Sequence, residues 1–268
     1  MYQVFRIPKR SGGFRIIEAP DEDLKARQKA DMSNLKALFK VSPFAHAFQP
    51  YKNIVTMAMG HVGKEFIGAM DIEDFFPSIT RDMLVKSARL SAIKNIDPFM
   101  DLHFYDFGDG KGVRLPQGAP CSPFLANAYL FWFDWRMAWI AHRFGCDYSR
   151  YADDMVFSGP EKKSIKILFK IAGKLLDQNY GLKINAKKSR ILHKSGRQII
   201  CGIVVNEKIN LTRKFKKNLR AEVYQSGENI SMETRGRMAF KMMVLNNQKT
   251  SHTSSEIIKS CILDKKLR

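Results

Sequence analysis

Asp153 and Asp154 are adjacent within Tyr151-Ala152-Asp153-Asp154-Met155-Val156-Phe157, between two short β-prone runs, and nothing else in the chain constrains its fold as tightly. Neighbouring side chains on a regular strand point to opposite faces, so two adjacent acids can serve one place only where the chain turns. The segment therefore predicts a tight hairpin. Taken alone, an Asp-Asp turn is usually a plain surface turn, because Asp tolerates turn backbone and hydrogen-bonds to it. The rest of the sequence changes that reading. Phe66-Ile67-Gly68-Ala69-Met70 is an apolar run ending on Asp71, as expected of a buried strand that delivers a third carboxylate at its C-terminal end. Between the two acid positions lies Leu115-Pro116-Gln117-Gly118-Ala119-Pro120-Cys121-Ser122-Pro123. It couples a glycine that permits close approach with an amide able to contact a base or sugar. Clustered acids suit phosphoryl transfer, which needs two Mg²⁺ ions about 4 Å apart more than covalent help from the protein. Hard Mg²⁺ prefers carboxylate oxygens, and acids so crowded are tolerable only when cations neutralise them.

The charge points to a polyanion. Lys and Arg number 45 against 26 Asp and Glu, a formal net charge of +19, while 45% hydrophobic residues indicate a folded protein rather than a basic tail. The basic residues are spread along the chain and form no amphipathic anchor, which favours nucleic acid over a membrane surface. Cys121, Cys146, Cys201 and Cys261 lie far apart, without zinc-like spacing, and read as reduced thiols of a cytoplasmic protein. The first residues have no apolar core long enough for a signal peptide. The most apolar stretch, Phe124 to Ala141, carries Asp134 and Arg136 and predicts one buried helix rather than a membrane span.

Along the chain, strand-like and helix-like segments alternate. Phe5 to Pro8 and Phe14 to Ile17 predict a basic hairpin turning at Gly12-Gly13. Thr80 is placed to cap a helix through Leu84, Val85 and Ala88. Leu168, Ile171, Ala172, Leu175 and Leu176 form an amphipathic helical stripe between Pro160 and Gly181. From Glu207 the chain is strongly basic and helical in pattern, with Thr253 and Glu256 as a capping box for a last helix. A boundary is expected near Asn206.

Four motifs in order carry a family resemblance: Met70-Asp71-Ile72-Glu73-Asp74-Phe75-Phe76-Pro77-Ser78, Pro116-Gln117-Gly118, Tyr151-Ala152-Asp153-Asp154, and Gly181-Leu182-Lys183-Ile184-Asn185-Ala186-Lys187-Lys188-Ser189. With them the chain, from about Phe5 to Arg220, resembles retron-type bacterial reverse transcriptases, relatives of group II intron enzymes. Met57-Ala58-Met59-Gly60-His61 keeps the Ala and His of the family's Asn-Ala-x-x-His segment, and Ile200-Cys201-Gly202 stands where the family usually has Val-Thr-Gly.

The resemblance implies an α/β (α+β) right-hand polymerase, with fingers and palm over 1–205 and a basic helical thumb over 206–268. It implies an RNA-directed DNA polymerase that uses two Mg²⁺ ions, dNTPs and an RNA template, a structured noncoding RNA, in antiphage defence with a possible effector protein. Beyond Asn206 no room is seen for maturase, endonuclease or ribonuclease H regions, so a small standalone enzyme is expected. By the same likeness Asp71 and Asp153 bridge the metals, with Asp154 in support and the Ile72 carbonyl as a further ligand. Lys9 and Arg15, Gln117 and Gly118 attend the incoming nucleotide, and Phe76 is the aromatic gate against a ribose 2′-OH, with Phe75 the adjacent alternative. Lys188 is the candidate to protonate or neutralise the leaving pyrophosphate, against the plain reading of a solvated charge. Cys201 and Gly202 position the primer end. Trp132, Trp135 and Trp139 recur at helical spacing and read as a packed face rather than a base-stacking surface, and the histidines read as structural or surface residues. The rival functions are an RNA-templated RNA polymerase, a template-independent DNA polymerase and a catalytically idle RNA-binding scaffold.

Overall fold

The structure, a computed structural model, describes residues 1–8, 12–87, 100–227 and 229–247. The chain begins with an antiparallel hairpin, β1 (Tyr2–Pro8) and β2 (Phe14–Pro20), in register from Tyr2↔Pro20 to Pro8↔Phe14. Both strands run three residues beyond the expected Phe5–Pro8 and Phe14–Ile17, because distant groups hold their ends. The Tyr2 hydroxyl accepts from Gln28 Nε2 at 2.9 Å, and its ring packs on Tyr105 with centroids 4.8 Å apart. Lys9 lies outside the described residues. Three short helices follow: α1 (Glu22–Ala30), capped by Asp21, α2 (Met32–Leu38), and α3 (Ile54–Met59), opened by a capping box on Asn53.

The centre of the molecule is an antiparallel sheet in the order β4-β5-β3-β6, made of β3 (Phe66–Asp71), β4 (Asp147–Tyr151), β5 (Asp154–Gly159) and β6 (Arg190–His193). After β3, α4 (Arg81–Ser87) starts at Thr80, whose hydroxyl accepts from Met83 N–H at 3.3 Å, as the sequence indicates. The continuation of that helix to Ala88 lies outside the described residues.

One face of the sheet packs on α5 (Ser122–Tyr129), α6 (Phe131–Arg143) and α7 (Lys162–Tyr180), with Met70, Met155 and Phe157 meeting Leu125, Phe133, Leu168 and Leu176. Gly68 is what lets α7 come this close. A Cβ there would sit 2.4 Å from Ile165 Cγ2 and 2.6 Å from the Phe169 ring. Gly68→Val is therefore expected to destabilise the protein by about 1–3 kcal/mol through overpacking, read as a lowered thermal midpoint.

The expected single helix from Phe124 to Ala141 is two, broken at Leu130. No Gly or Pro marks the break, which is stabilised from a distance: Ser87 Oγ donates to the Tyr129 carbonyl at 3.1 Å. The tryptophan expectation also needs correction. The buried stripe of α6 is Phe133, Asp134, Met137, Ala138 and Ala141, so only Trp135 lies close enough to it to pack, edge-on against Phe44. Trp132 and Trp139 point away and are 55% and 52% exposed.

The other face carries α3 and a small sheet of β7 (Ile199–Ile200), β8 (Ile203–Val204) and β9 (Asn210–Leu211). Ile200, Ile203, Val205, Ile209 and Leu211 form a second core with Val55, Met57, Ile67 and Val156. His61 lies buried on this face, bonded to Ser158 Oγ at 2.7 Å and Ser149 Oγ at 2.6 Å, where it ties α3's end to β4 and β5. Burial pulls its pKa down to about 4, so it is neutral at physiological pH and serves structure. The small sheet leads into α8 (Arg213–Ser226), capped by Thr212, and α9 (Met232–Asn246), capped by Ser231, whose Val244 joins the second core. The predicted capping box at Thr253 and Glu256 and the cysteine at 261 lie outside the described residues. Among the described residues no helix is long and apolar enough to cross a membrane.

Candidate active site

Strand pairing brings the three acids to one end of the sheet. Asp71, the last residue of β3, is the cross-strand partner of Asp154, the first of β5, so both side chains leave the same face of the sheet, the one that carries Ile67 and Val156. Asp153 occupies the turn between β4 and β5, and Ile72 N–H donates to its carbonyl at 3.0 Å, extending the ladder one step past Asp71. The turn depends on Ala152 in left-handed backbone at φ 54°, a conformation a Cβ penalises by about 1–2 kcal/mol.

What holds that turn is a buried guanidinium. Arg150 Nη1 donates to the Ala152 carbonyl at 2.9 Å and to Asn127 Oδ1 at 2.9 Å. Its Nε and Nη2 grip both oxygens of Asp134 at 2.9 and 2.8 Å, and Tyr148 donates to the same carboxylate at 2.8 Å. Arg150 and Asp134 are both fully buried. The planar fork of arginine satisfies a carboxylate, an amide and a carbonyl at once, which a lysine ammonium cannot do with the same geometry.

On the far side of β3, Asn185 N–H donates to the Asp71 carbonyl and Glu73 N–H to the Lys183 carbonyl, each at 2.8 Å. This seats Lys188 on Asp71, with Nζ 2.9 and 3.0 Å from its two oxygens. That bond raises the pKa of Lys188, which therefore stays charged. Burial, with Asp71 as a like-charged neighbour, raises the pKa of Asp153, while Lys188 and Arg15 oppose the rise. Burial followed by Asp153 and Asp71 lifts Asp154 to about 6. Cys201, in left-handed backbone at φ 45° in the turn between β7 and β8, has its Sγ 3.8 Å from Asp154 Oδ2. Burial and that carboxylate push the thiol up to about 12, so it stays protonated. Gly202 follows it in the turn and is exposed.

Gln117 and Gly118 sit against the base of β2. The Gln117 carbonyl accepts from Glu18 N–H and the Gln117 N–H donates to the Glu18 carboxylate, and a Cβ on Gly118, at φ 144°, would meet the Glu18 carbonyl oxygen at 2.9 Å. Phe75 is buried in the core, whereas Phe76, 5.4 Å away ring to ring, is only partly buried.

Among the described residues no three Asp, Glu, His or Cys side chains already converge on one metal position. The donor set nevertheless fits a hard cation: oxygen ligands, two of them with pKa values raised by burial and mutual repulsion, and an ammonium standing as countercharge on the third. Asp71, Asp153 and Asp154 are the residues that would hold such a cation, and it would supply the positive charge that Lys188 alone now sets against Asp71.

The arrangement therefore unites Asp71, Ile72, Asp153, Asp154, Lys188 and Cys201, while Arg15, on the exposed part of β2, makes no bond to them. Sequence reasoning did not select Arg150, Asp134, Asn127 or Glu18. Asp134 alone gave a signal, as an acid on the buried face of an apolar helix that requires a partner.

The chain belongs to the reverse transcriptase family. Residues 7–257 match the family described as reverse transcriptase (RNA-dependent DNA polymerase). Within it the chain is of the retron type. It is 35% identical over 246 residues to the retron Mx65 reverse transcriptase of Myxococcus xanthus, covering 87% of this chain and 57% of that protein. It is 31% identical over 261 residues to the retron Ec86 reverse transcriptase of Escherichia coli, covering 91% of this chain and 76% of that one. The chain spans about half the length of the Myxococcus relatives, 57% and 47%. Its fold resembles telomerase from Candida albicans, with a TM-score of 0.54 at 13% identity over 91% of this chain and 54% of that one.

Proposed function

We propose that the protein is an RNA-directed DNA polymerase that adds dNTPs to a 3′-OH, or to an RNA 2′-OH, on the template of a structured noncoding RNA. The observation that supports this most is the pairing of Asp71 with Asp154, with Asp153 in the turn beside them. In this proposal Asp71 and Asp153 hold two Mg²⁺ ions, with Asp154 and the Ile72 carbonyl in support. When bound, the ions supply Lewis acidity for the attacking oxygen and charge neutralisation for the leaving group. The primer oxygen attacks the α-phosphorus as the bond to pyrophosphate breaks. Lys188, already charged and beside Asp71, neutralises or protonates the departing pyrophosphate. Arg15 and Lys9 bind the triphosphate, Gln117 and Gly118 shape the nucleotide pocket, and Cys201-Gly202 positions the primer end. Residues 1–205 act as fingers and palm. The basic segment 206–268 acts as thumb and grips the duplex by phosphate and 2′-OH contacts, because A-form RNA offers little sequence to read in its deep groove. The retron relationship supports antiphage defence as the setting, with an effector protein as partner.

Phe76 is the proposed sugar gate, and Phe75, buried in the core, supports it from behind. Phe76→Val is expected to reduce the preference for deoxynucleotides over ribonucleotides by about tenfold or more, as the ratio of kcat/KM values in primer extension. The same assay on the unaltered protein tests the proposal against RNA polymerisation. A preference for ribonucleotides contradicts it. Extension that ignores template sequence favours template-independent synthesis.

A further inference from the structure

We infer that Glu18 is a positioning residue that locks the triphosphate-binding hairpin to the Gln117-Gly118 loop, so that two walls of the nucleotide pocket move as one body. The inference rests on the polymerase proposal and adds to it a residue outside the four motifs of this sequence.

Three ties meet at this position. The Glu18 backbone N–H donates to the Gln117 carbonyl at 2.8 Å. The Glu18 carboxylate returns across the same junction, Oε2 accepting from Gln117 N–H at 2.8 Å. The third is steric: Gly118 lies so close to β2 that a Cβ would be 2.9 Å from the Glu18 carbonyl oxygen and 3.1 Å from Ile17 Cγ2. Backbone, side chain and shape therefore all fix one register between hairpin and loop.

Glu18 is buried, and an ionised carboxylate there needs a cation. Arg114 supplies it, with Nη2 3.7 Å from Glu18 Oε1. Arg114 is itself held by a bidentate bond to Asp109 at 2.7 and 2.9 Å and lies over the Phe107 ring at 4.8 Å. A carboxylate suits this junction because it is acceptor-only and meets two donors, Gln117 N–H and Arg114. A glutamine keeps an oxygen for Gln117 but turns an NH₂ donor toward the guanidinium. On β2, Arg15 and Ile17 alternate with Ile16 and Glu18, so the residue that fastens the hairpin and Arg15, the proposed triphosphate ligand, lie on opposite faces. Glu18 thus acts without touching the nucleotide.

Contacts to the triphosphate are made in ground and transition states alike, so loosening them raises KM and spares kcat. In primer extension by the full chain, Glu18→Ala is expected to raise KM for dNTPs about tenfold while kcat stays within about threefold. Glu18→Gln is expected to rescue most of this, to within about threefold of the wild-type KM. Thermal midpoints of all variants set an assay temperature at which each is folded. A merely structural glutamate predicts a fall in kcat matching the folded fraction with KM unchanged. That result, or a wild-type KM in Glu18→Ala, overturns the inference. A wild type that extends no primed RNA with Mg²⁺ removes the polymerase proposal and this inference with it, whereas an active wild type with an unaltered alanine variant removes this inference alone.

Discussion

Arg150→Met is expected to lower unfolding stability by about 3–5 kcal/mol and to abolish most DNA synthesis in the fraction that still folds. The first effect follows from burial: without the guanidinium, Asp134 is left fully buried with, among the described residues, only the Tyr148 hydroxyl bonded to it, and Asn127 Oδ1 loses its donor. The second follows from the bond to the Ala152 carbonyl, which holds left-handed backbone immediately before Asp153. The two separate in a double variant. Arg150→Met with Asp134→Leu removes both charges, and replacing a buried pair by apolar groups is often neutral for stability. Urea unfolding should therefore recover in the double variant while primer extension does not. Recovery of both would reduce Arg150 to a structural ion pair.

The acids should show the opposite relation between stability and activity. Asp154 has a pKa lifted from 3.8 to about 6, so the folded state favours its protonated form. The folded protein then binds more protons than the unfolded chain between those values. Stability of the metal-free protein accordingly falls as pH rises from about 4 to about 6, by roughly 1–3 kcal/mol before competing groups are counted. Asp154→Asn removes this component, so it should be more stable than the wild type near neutral pH when metal is absent. Mg²⁺ should reverse the order by stabilising the wild type more, since a ligand of the native state adds RT ln(1 + [L]/Kd). Thermal melts at two pH values, with and without Mg²⁺, check both signs. Synthesis by Asp71→Asn or Asp153→Asn is expected to fall by about a thousandfold or more.

Much of the fold was legible because it is local. The hairpin at Asp153, the strand ending at Asp71, the Thr80 cap and the helix ending at Gly181 each follow from residues within a few positions of one another. The split at Leu130 was not legible, because its stabilising bond comes from Ser87, 42 residues away. The tryptophan face failed for a related reason: their spacing is helical, but the burial stripe lies one residue over, on Phe133 and Asp134. The site shows the same division. Lys188 could be named from a motif, yet its seat on Asp71, 117 residues away, depends on the pairing of residues 183–185 with the end of β3. Glu18 left no mark in the sequence at all. An acid in a short basic hairpin looks solvated until Gln117 and Arg114 close over it.

The most direct test of the central claim is Mg²⁺-dependent incorporation of labelled dNTPs on a primed RNA template by the wild type and by Asp153→Ala/Asp154→Ala, both checked for folding by thermal melting. Template-dictated DNA made by the wild type and lost in the folded double variant is the predicted result. Product of equal yield from the double variant would contradict a catalytic centre built on Asp71, Asp153 and Asp154.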